Sequence, residues 1–472
     1  MESPAQSVRV SPRYGWLAAV IPARAQRFRV ADPELAATLV CAGARLVELS
    51  PDVEITRSDD LRGQAPCAII SLSACEPSGA RVLRGVQRLA RSAALRLRIH
   101  RARRSLQRSG YPTIEVLTWE PGVRARSSGS TTRAPDRLAH RFPLNAVIVG
   151  TRESAVPTAF AASVAAAESA FGRSLRAESL LFASSGVIVA PTTEVVLRVG
   201  VGPAASRIEE QRAALECLRA ERPSQVVTER IPWPLAEGRE GFAVWSAERR
   251  LPGAMAPPHL TGAFLEDCLE FLAALHEVGR SGNASSAADA DLVASICDAH
   301  RARAVAELGR ELDESLSHLP RGFGHGDFWN GNLMIDDGHL SGVVDWPAAG
   351  PGRLPLLDHL HLRANSAREL SGRQLGVIIV DDLLPLARAG GDEFVRRACR
   401  RIGIELGPEE LVDLVGAYWL NAVARELVDP DRDVDHAADP HWLKVNVEHV
   451  VRTFSRPGAR RRAPERRRPA TR

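Results

Sequence analysis

Short apolar runs alternate with helical periodicities over the first 125 residues. Candidate strands are Trp16–Ile21, Ala44–Leu49, Cys67–Ser71 and Ile114–Trp119. Between the last two, an arginine-studded helical stretch runs from about Ala80 to Gln107 and stops at Gly110-Tyr111-Pro112. This alternation predicts an α/β layer with a mainly parallel sheet over residues 1–125. The stretch Arg124–Arg137, rich in Ser, Thr and Arg, reads as an exposed loop, and residues 126–154 read as a linker. An alanine-rich helix over Thr158–Phe171 follows. Three strands come next, Ser179–Ala183, Val187–Ala190 and Glu194–Val199, with turns at Ser184-Ser185-Gly186 and Pro191-Thr192-Thr193. An amphipathic helix over Ser206–Ala220 then carries Ile208, Leu215 and Leu218 on one side. From about Met255 the pattern is mostly helical and is interrupted once, around residues 322–346.

A chain of 472 residues is too long for one ordinary core and predicts two or three domains. Seven scattered cysteines contain no C-x-x-C pair, which argues against both a disulfide framework and a zinc site. No basic segment followed by an apolar run opens the chain, and no apolar run is long enough to span a bilayer. A cytoplasmic protein is the expectation. The formal charge of +4 is set by the last seventeen residues, Arg456–Arg472, whose net charge is +7; the remainder is at −3. Such an Arg/Pro-rich tail is expected to be disordered, and its charge allows nonspecific contact with nucleic acid but no specific recognition. Only one lysine, Lys444, occurs among 61 basic residues. Any role that usually falls to lysine must therefore fall to arginine.

The chemistry concentrates in Gly322–Leu360, GFGHGDFWNGNLMIDDGHLSGVVDWPAAGPGRLPLLDHL. The apolar segments Leu333–Ile335 and Leu340–Val344 flank Asp336-Asp337-Gly338, which predicts a β-hairpin with Asp-Gly in its turn. Such a hairpin brings Asp327 and Asn332, just before its first strand, close to Asp345, just after its second. Two carboxylates and an amide converging there can hold Mg²⁺ and leave one carboxylate for a hydroxyl proton.

The spacing H-G-D-x-x-x-x-N over His325–Asn332, followed thirteen residues later by Asp345-Trp346, resembles the aminoglycoside phosphotransferase and choline kinase group, relatives of protein kinases. The resemblance runs from about Glu178 to Phe454. It implies an α+β fold with a bilobal kinase-like domain: a β-rich N-lobe over 155–248, a helical C-lobe over 249–455 and a tail over 456–472. It further implies Asp327 as catalytic base, His325 as its brace, Asn332 and Asp345 as Mg²⁺ ligands, and Asp358 as the carboxylate that ties down the loop. Upstream, Arg250-Leu251-Pro252-Gly253 and Leu272–His276 fit the post-hinge segment and the helix after it. In the N-lobe, Arg198 stands where the family has a lysine on the nucleotide phosphates, and arginine is larger and forked. Its carboxylate partner is expected from Glu209 or Glu210, although the helix register points at Gln211. Ser185, Gly186, Glu210 and Glu248 complete the expected nucleotide site. Pieces of residues 1–125, Ala44–Leu49 and then Asp59-Asp60, resemble a degenerate methyltransferase-type Rossmann-like domain, but no G-x-G-x-x-G follows the first candidate strand.

The function implied is transfer of the γ-phosphoryl group of ATP or GTP, with Mg²⁺, to a hydroxyl of a small sugar, aminoglycoside-like or amino-alcohol substrate. The alternative is a pseudokinase scaffold, motivated by Arg198 and the missing helix glutamate. A bifunctional enzyme with an active methyltransferase half is a third reading. His359 and His361 lie two apart, on different faces of a helix, and read as core or surface residues. The acidic run Asp431-x-Asp433-x-Asp435 lacks the glycine and glutamate of a calcium loop. Trp329 and Trp346 read as packing the loop. Asp289, Asp291, Asp298 and Glu311–Glu314 form an acidic helical patch too generic to name an acceptor.

Overall fold

The computed structural model describes residues 17–30, 35–36, 39–40, 45–46, 53–56, 65, 67–73, 85–109, 111, 113–119, 126–127, 145–151, 157–183, 185–258, 262–279, 286–428 and 439–454. The chain divides into two compact units, one of residues 1–212, 232–250 and 430–434, the other of 213–231, 251–429 and 435–472. The Arg/Pro-rich tail, Ser184, Glu48 and the Asp59-Asp60 pair lie outside the described residues.

The first unit holds two sheets. In one, β1 (Arg27–Val30), β2 (Arg45–Leu46), β3 (Val53–Thr56) and β4 (Cys67–Ser73) run parallel in the order β2-β1-β3-β4. The other half is antiparallel: of β5 (Thr113–Trp119), β6 (Arg126–Ser127) and β7 (Asn145–Thr151), the last inserts between β4 and β5. The sheet is thus mixed, not mainly parallel, and the segment read as a linker supplies two of its strands. Val147 and Val149 show why: they alternate into the core, which an exposed linker would not do. The run expected as a strand at Trp16–Ile21 is instead a short helix, α1 (Leu17–Val20), with Leu17 and Ile21 fully buried. Six consecutive apolar residues carry no readable period, and Leu and Ala favour the helix. The long helix α2 (Gly85–Arg108) is where the pattern puts it, packing Leu95 and Leu106 with Ala68 and Tyr111.

Helix α3 (Ala159–Phe171) begins on Thr158, whose side chain accepts the Ala161 N–H at 3.2 Å, and ends on Gly172 at φ +63°. The second sheet, β8 (Leu181–Phe182), β9 (Ile188–Pro191), β10 (Val195–Val201), β11 (Pro234–Glu240) and β12 (Ala243–Arg249), is antiparallel throughout, in the order β11-β12-β10-β9-β8. Helix α4 (Pro203–Ala220) follows β10. Phe28, Ile55, Ile69 and Val147 share one buried core with Leu197, Val199 and Trp245, so the compact units do not divide at residue 125.

The second unit is mainly helical. Its small sheets join β13 (Ala254–Met255), β15 (Leu333–Asp336) and β16 (His339–Val343), and separately β14 (Gly322–Gly324) and β17 (Gly350–Arg353). The predicted hairpin is β15–β16, with Asp337 and Gly338 at positive φ, 47° and 80°, as its turn requires. Helices α5 (Gly262–His276), α6 (Ser286–Ala294), α7 (Ala299–Ser315), α8 (Leu357–Ser371) and α9 (Pro408–Val428) bury a core that includes Leu312, Leu360, Leu414 and Trp419. Asp298 caps α7 through the Arg301 N–H at 3.0 Å, and Asp313 accepts the N–H groups of Ser286 and Ala287 at 2.7 and 3.1 Å. Part of the acidic patch is therefore helix-capping apparatus. No helix among the described residues is long and apolar enough to cross a membrane.

Candidate active site

The loop from His325 to Asn332 is fastened from behind. Asp358, in the first turn of α8, accepts the N–H groups of His325 and Gly326 with its two carboxylate oxygens, both at 2.8 Å. Gly326 takes φ +78°, and a Cβ there would run into the Ala348 carbonyl, so only glycine fits. His325 is fully buried; burial depresses its pKa against the pull of Asp358, Asp327 and Asp345, which keeps the ring neutral. A neutral imidazole has one donor and one acceptor, and both are used. Nε2 donates to the Val344 carbonyl at 3.2 Å, and Nδ1 accepts the Asp327 N–H at 3.2 Å. Trp346 packs edge-on against this ring with centroids 4.6 Å apart, and its indole N–H donates to Val343 at 2.8 Å.

Asp327 stands at the open side of the loop. Its Oδ2 accepts from Asn332 Nδ2 at 2.8 Å, and its Oδ1 accepts from Arg425 of α9 at 2.8 Å and from His361 of α8 at 3.0 Å. Burial alone would raise this carboxyl, but the His361 hydrogen bond and the Arg425 charge overcome it and hold Asp327 well below the usual carboxylate range. Arg425 also donates to the Gly326 carbonyl. Asn332 spends its amide nitrogen on the Asp327 carbonyl, at 2.9 Å, and on Oδ2. That orientation leaves Asn332 Oδ1 as the end of the amide with no hydrogen bond among the described residues. The Val344 N–H donates to the Asn332 carbonyl at 2.9 Å, which brings Asp345 to the same end of the hairpin. Asp345 is a non-glycine residue at φ +68°, a strained backbone conformation. No group of three His, Cys, Asp or Glu that could hold a metal exists among the described residues. The donors here are an amide oxygen and one carboxylate, the sparse oxygen set that suits Mg²⁺, which completes its shell with water and phosphate.

In the first unit, Arg198 of β10 does not meet a helix glutamate. Its Nε donates to Glu248 Oε2 of β12 at 3.0 Å. The β10–β12 register pairs Arg198 with Ser246 and Val196 with Glu248, so the ion pair is a same-face diagonal. Gln211 of α4 donates to the other Glu248 oxygen at 2.5 Å. The expected partners are engaged elsewhere: Glu209 pairs with Arg239 at 2.8 Å and Glu210 with Arg207 at 3.4 Å. Gln211, the helix position at which the register points, meets Glu248, so the carboxylate beside Arg198 lies on a strand and not on the helix. Gly186 forms the β8–β9 turn at φ +79°, its N–H donating to the Ala183 carbonyl at 3.0 Å, with Ser185 inside that turn.

His361 and Arg425, 34 and 98 residues from Asp327, were not singled out by sequence reasoning. The helical spacing of His359 and His361 addresses only whether they share a metal. It does place them on different faces: His359 is buried in the core and His361 turns to Asp327.

A fastened loop with one part-exposed carboxylate, and an amide and a second carboxylate at the adjoining hairpin end, is an arrangement that a phosphotransferase could use. Residues 186–383 match the model of the phosphotransferase enzyme family. The match leaves β1–β8, α1–α3 and α9 outside it. Among solved structures, a thermostable mutant of aminoglycoside phosphotransferase APH(4)-Ia, in ternary complex with ADP and hygromycin B, is 18% identical. It covers 62% of this chain and 99% of its own, with a TM-score of 0.40. A choline/ethanolamine kinase family protein from Mesorhizobium loti is 18% identical over 57% of this chain and 86% of its own, with a TM-score of 0.39. Aminoglycoside phosphotransferase APH(3'')-Id from Streptomyces rimosus is 16% identical over 49% and 88%, with a TM-score of 0.35. A search of the curated proteins returns no match.

Proposed function

We propose that the protein transfers the γ-phosphoryl group of ATP or GTP to a hydroxyl of a small molecule. The observation that carries this reading is the Asp327 carboxylate: three of its roughly four acceptor positions are occupied, and one on Oδ2 remains for an incoming hydroxyl. In the transfer, the acceptor oxygen forms a bond to the γ-phosphorus, the bond from that phosphorus to the bridging oxygen of the β-phosphate breaks, and the acceptor proton passes to Asp327. Because Asp327 is held strongly acidic, it orients the hydroxyl and takes the proton late, as a loose phosphoryl transition state allows. Asn332 Oδ1 and Asp345 are assigned to Mg²⁺, which when bound neutralises charge on the phosphates. Arg198 is assigned to the nucleotide phosphates from its place in the strand order, with Glu248 and Gln211 holding it. Glu210, paired on the helix surface, is given no part in that grip.

The scaffold reading fits less well, since loss of activity would remove the need for the strained Asp345 and the clamped Asp327. Thermal-shift titration with Mg²⁺ plus ATP or GTP tests the proposal: stabilisation by one nucleotide is expected. Binding of neither ends it. A metabolite screen run with that nucleotide present then looks for the acceptor, whose phosphorylation Asp327→Ala abolishes.

A further inference from the structure

We propose that Tyr418 and His361 form a hydrogen-bond chain that, together with Arg425, fixes the Asp327 carboxylate so that a single acceptor position on Oδ2 is presented to the substrate hydroxyl. This rests on the phosphotransfer reading and assigns positioning residues to it, two of which lie beyond the residues that match the family model.

The chain begins in the core. Tyr418 and Arg425 are seven residues apart on α9, two turns along one face of the helix. Tyr418 is 2% exposed, and burial pushes its phenol well above the usual value, so the hydroxyl keeps its proton. Its oxygen lies 3.3 Å from His361 Nδ1. If Tyr418 donates, Nδ1 accepts, and a neutral ring must carry its proton on Nε2. That nitrogen faces Asp327 Oδ1 at 3.0 Å. Asn365, one turn further along α8, also reaches Nε2 at 3.0 Å and donates to the His361 carbonyl at 3.1 Å. Two tautomers therefore compete. With the proton on Nδ1, the Nε2 lone pair would point at an ionised carboxylate and one of the acceptors of Asp327 would lose its donor. With the proton on Nε2, the bond to Asp327 is charge-assisted, about twice as strong as a neutral one. The charge on Asp327 selects the second.

The consequence for the reaction is geometric. Oδ1 carries two donors, His361 and Arg425, and is full. Oδ2 carries Asn332 alone, so the substrate hydroxyl has one place to bind and its proton one oxygen to reach. A carboxylate free to rotate about its Cβ–Cγ bond would spread that proton acceptor over several directions.

The first measurement needs no substrate. Long-range ¹H–¹⁵N correlation spectra of the full chain, with His361→Gln used for assignment, are expected to show the His361 ring protonated at Nε2 at neutral pH. In Tyr418→Phe the Asp327 charge still selects that form, and the Nδ1 resonance is expected to shift as it loses its donor. An Nδ1-protonated ring in the wild type overturns the chain. The second measurement reads ADP formed from Mg–ATP, with water as acceptor and then with the organic acceptor that the screen returns. His361→Leu is expected to lower kcat by about tenfold to a hundredfold, with KM for nucleotide and acceptor unchanged, the usual cost of losing an orienting partner behind a functional group. His361→Gln, which keeps an N–H donor, is expected to recover most of the rate. Full kcat in His361→Leu, or equal losses in the leucine and glutamine variants, overturns the positioning role. A wild-type protein with the Nε2 tautomer in place and no transfer from Mg–ATP to any acceptor sinks the phosphotransfer reading, and with it the role assigned to the chain.

Discussion

Asp327 and Glu248 are held by the same kinds of group. Each carboxylate takes one arginine and one side-chain amide: Arg425 and Asn332 for Asp327, Arg198 and Gln211 for Glu248. They differ in access. The Asp327 side chain is 25% exposed and the Glu248 side chain 4%. Asp327 thus has an acceptor position facing outward, whereas both Glu248 oxygens are turned inward to partners. In the function proposed above, the second unit offers its carboxylate to a ligand and the first offers Arg198, at 15% exposure, with Glu248 as its anchor. One motif of carboxylate, cation and amide is part-exposed in one place and closed in the other, and that difference is what assigns chemistry to the first and structure to the second in the proposal.

Neutralising each carboxylate without changing its shape would break that contrast if it is wrong. Asp327→Asn is expected to reduce turnover about a thousandfold, within the span for loss of a positioned acid–base group, with cooperative unfolding retained. Glu248→Gln is expected to act on folding first. It removes the charge that Arg198 Nε meets at 3.0 Å, at a cost of about 3 kcal/mol, read as a lower urea midpoint at unchanged slope. The double change Gln211→Glu with Glu248→Gln returns a carboxylate to the helix and should recover much of that loss. Gln211→Glu alone, which sets two carboxylates against each other, should not. Unaltered stability in Glu248→Gln, or an Asp327→Asn protein that still turns over, would reverse the assignment of the two sites.

The loop was legible in sequence because its parts are local. His325, Asp327, Asn332 and Asp345 lie within one hairpin, and Asp-Gly fixes the turn that gathers them. The partners of Asp327 on α8 and α9 were not legible, since nothing near His361 or Arg425 in the chain says which face will meet the loop. Gln211 was found from helix periodicity, but Glu248 as the partner of Arg198 needed the β10–β12 register, and a slip of one residue would have turned it to the other face. The same limit explains β7. Its alternation is visible once a sheet is assumed, yet its neighbours, β4 and β5, are set by pairing across long separations. Short runs such as Leu17–Val20 fail for the opposite reason, having too few residues to show any period.

The two regions also differ in their histidines. No histidine occurs between His140 and His259, a stretch that contains Arg198, Gln211 and Glu248, whereas His325, His359 and His361 surround the loop. His359 gives a smaller effect than either substitution above, and one confined to acid pH. It is 3% exposed, and its Nε2 has no hydrogen-bond partner among the described residues. Burial lowers its pKa from 6.5 to about 4, with Asp358 opposing and His276 assisting. A histidine whose folded pKa is depressed binds its proton more readily when unfolded. Its neutral form therefore costs the fold nothing above pH 6.5, and stability falls as the pH drops from there toward 4. At pH 5 the loss from this ring is about 2 kcal/mol; His325, also depressed by burial, adds in the same direction. His359→Leu keeps the bulk beside Phe394 and removes the titration. Urea unfolding of the wild type and this variant at pH 7 and pH 5 should show a steeper acid loss in the wild type by that amount. Equal losses in both would mean that the ring is solvated or protonated in the folded protein, and that the acid sensitivity of the loop region lies in other groups.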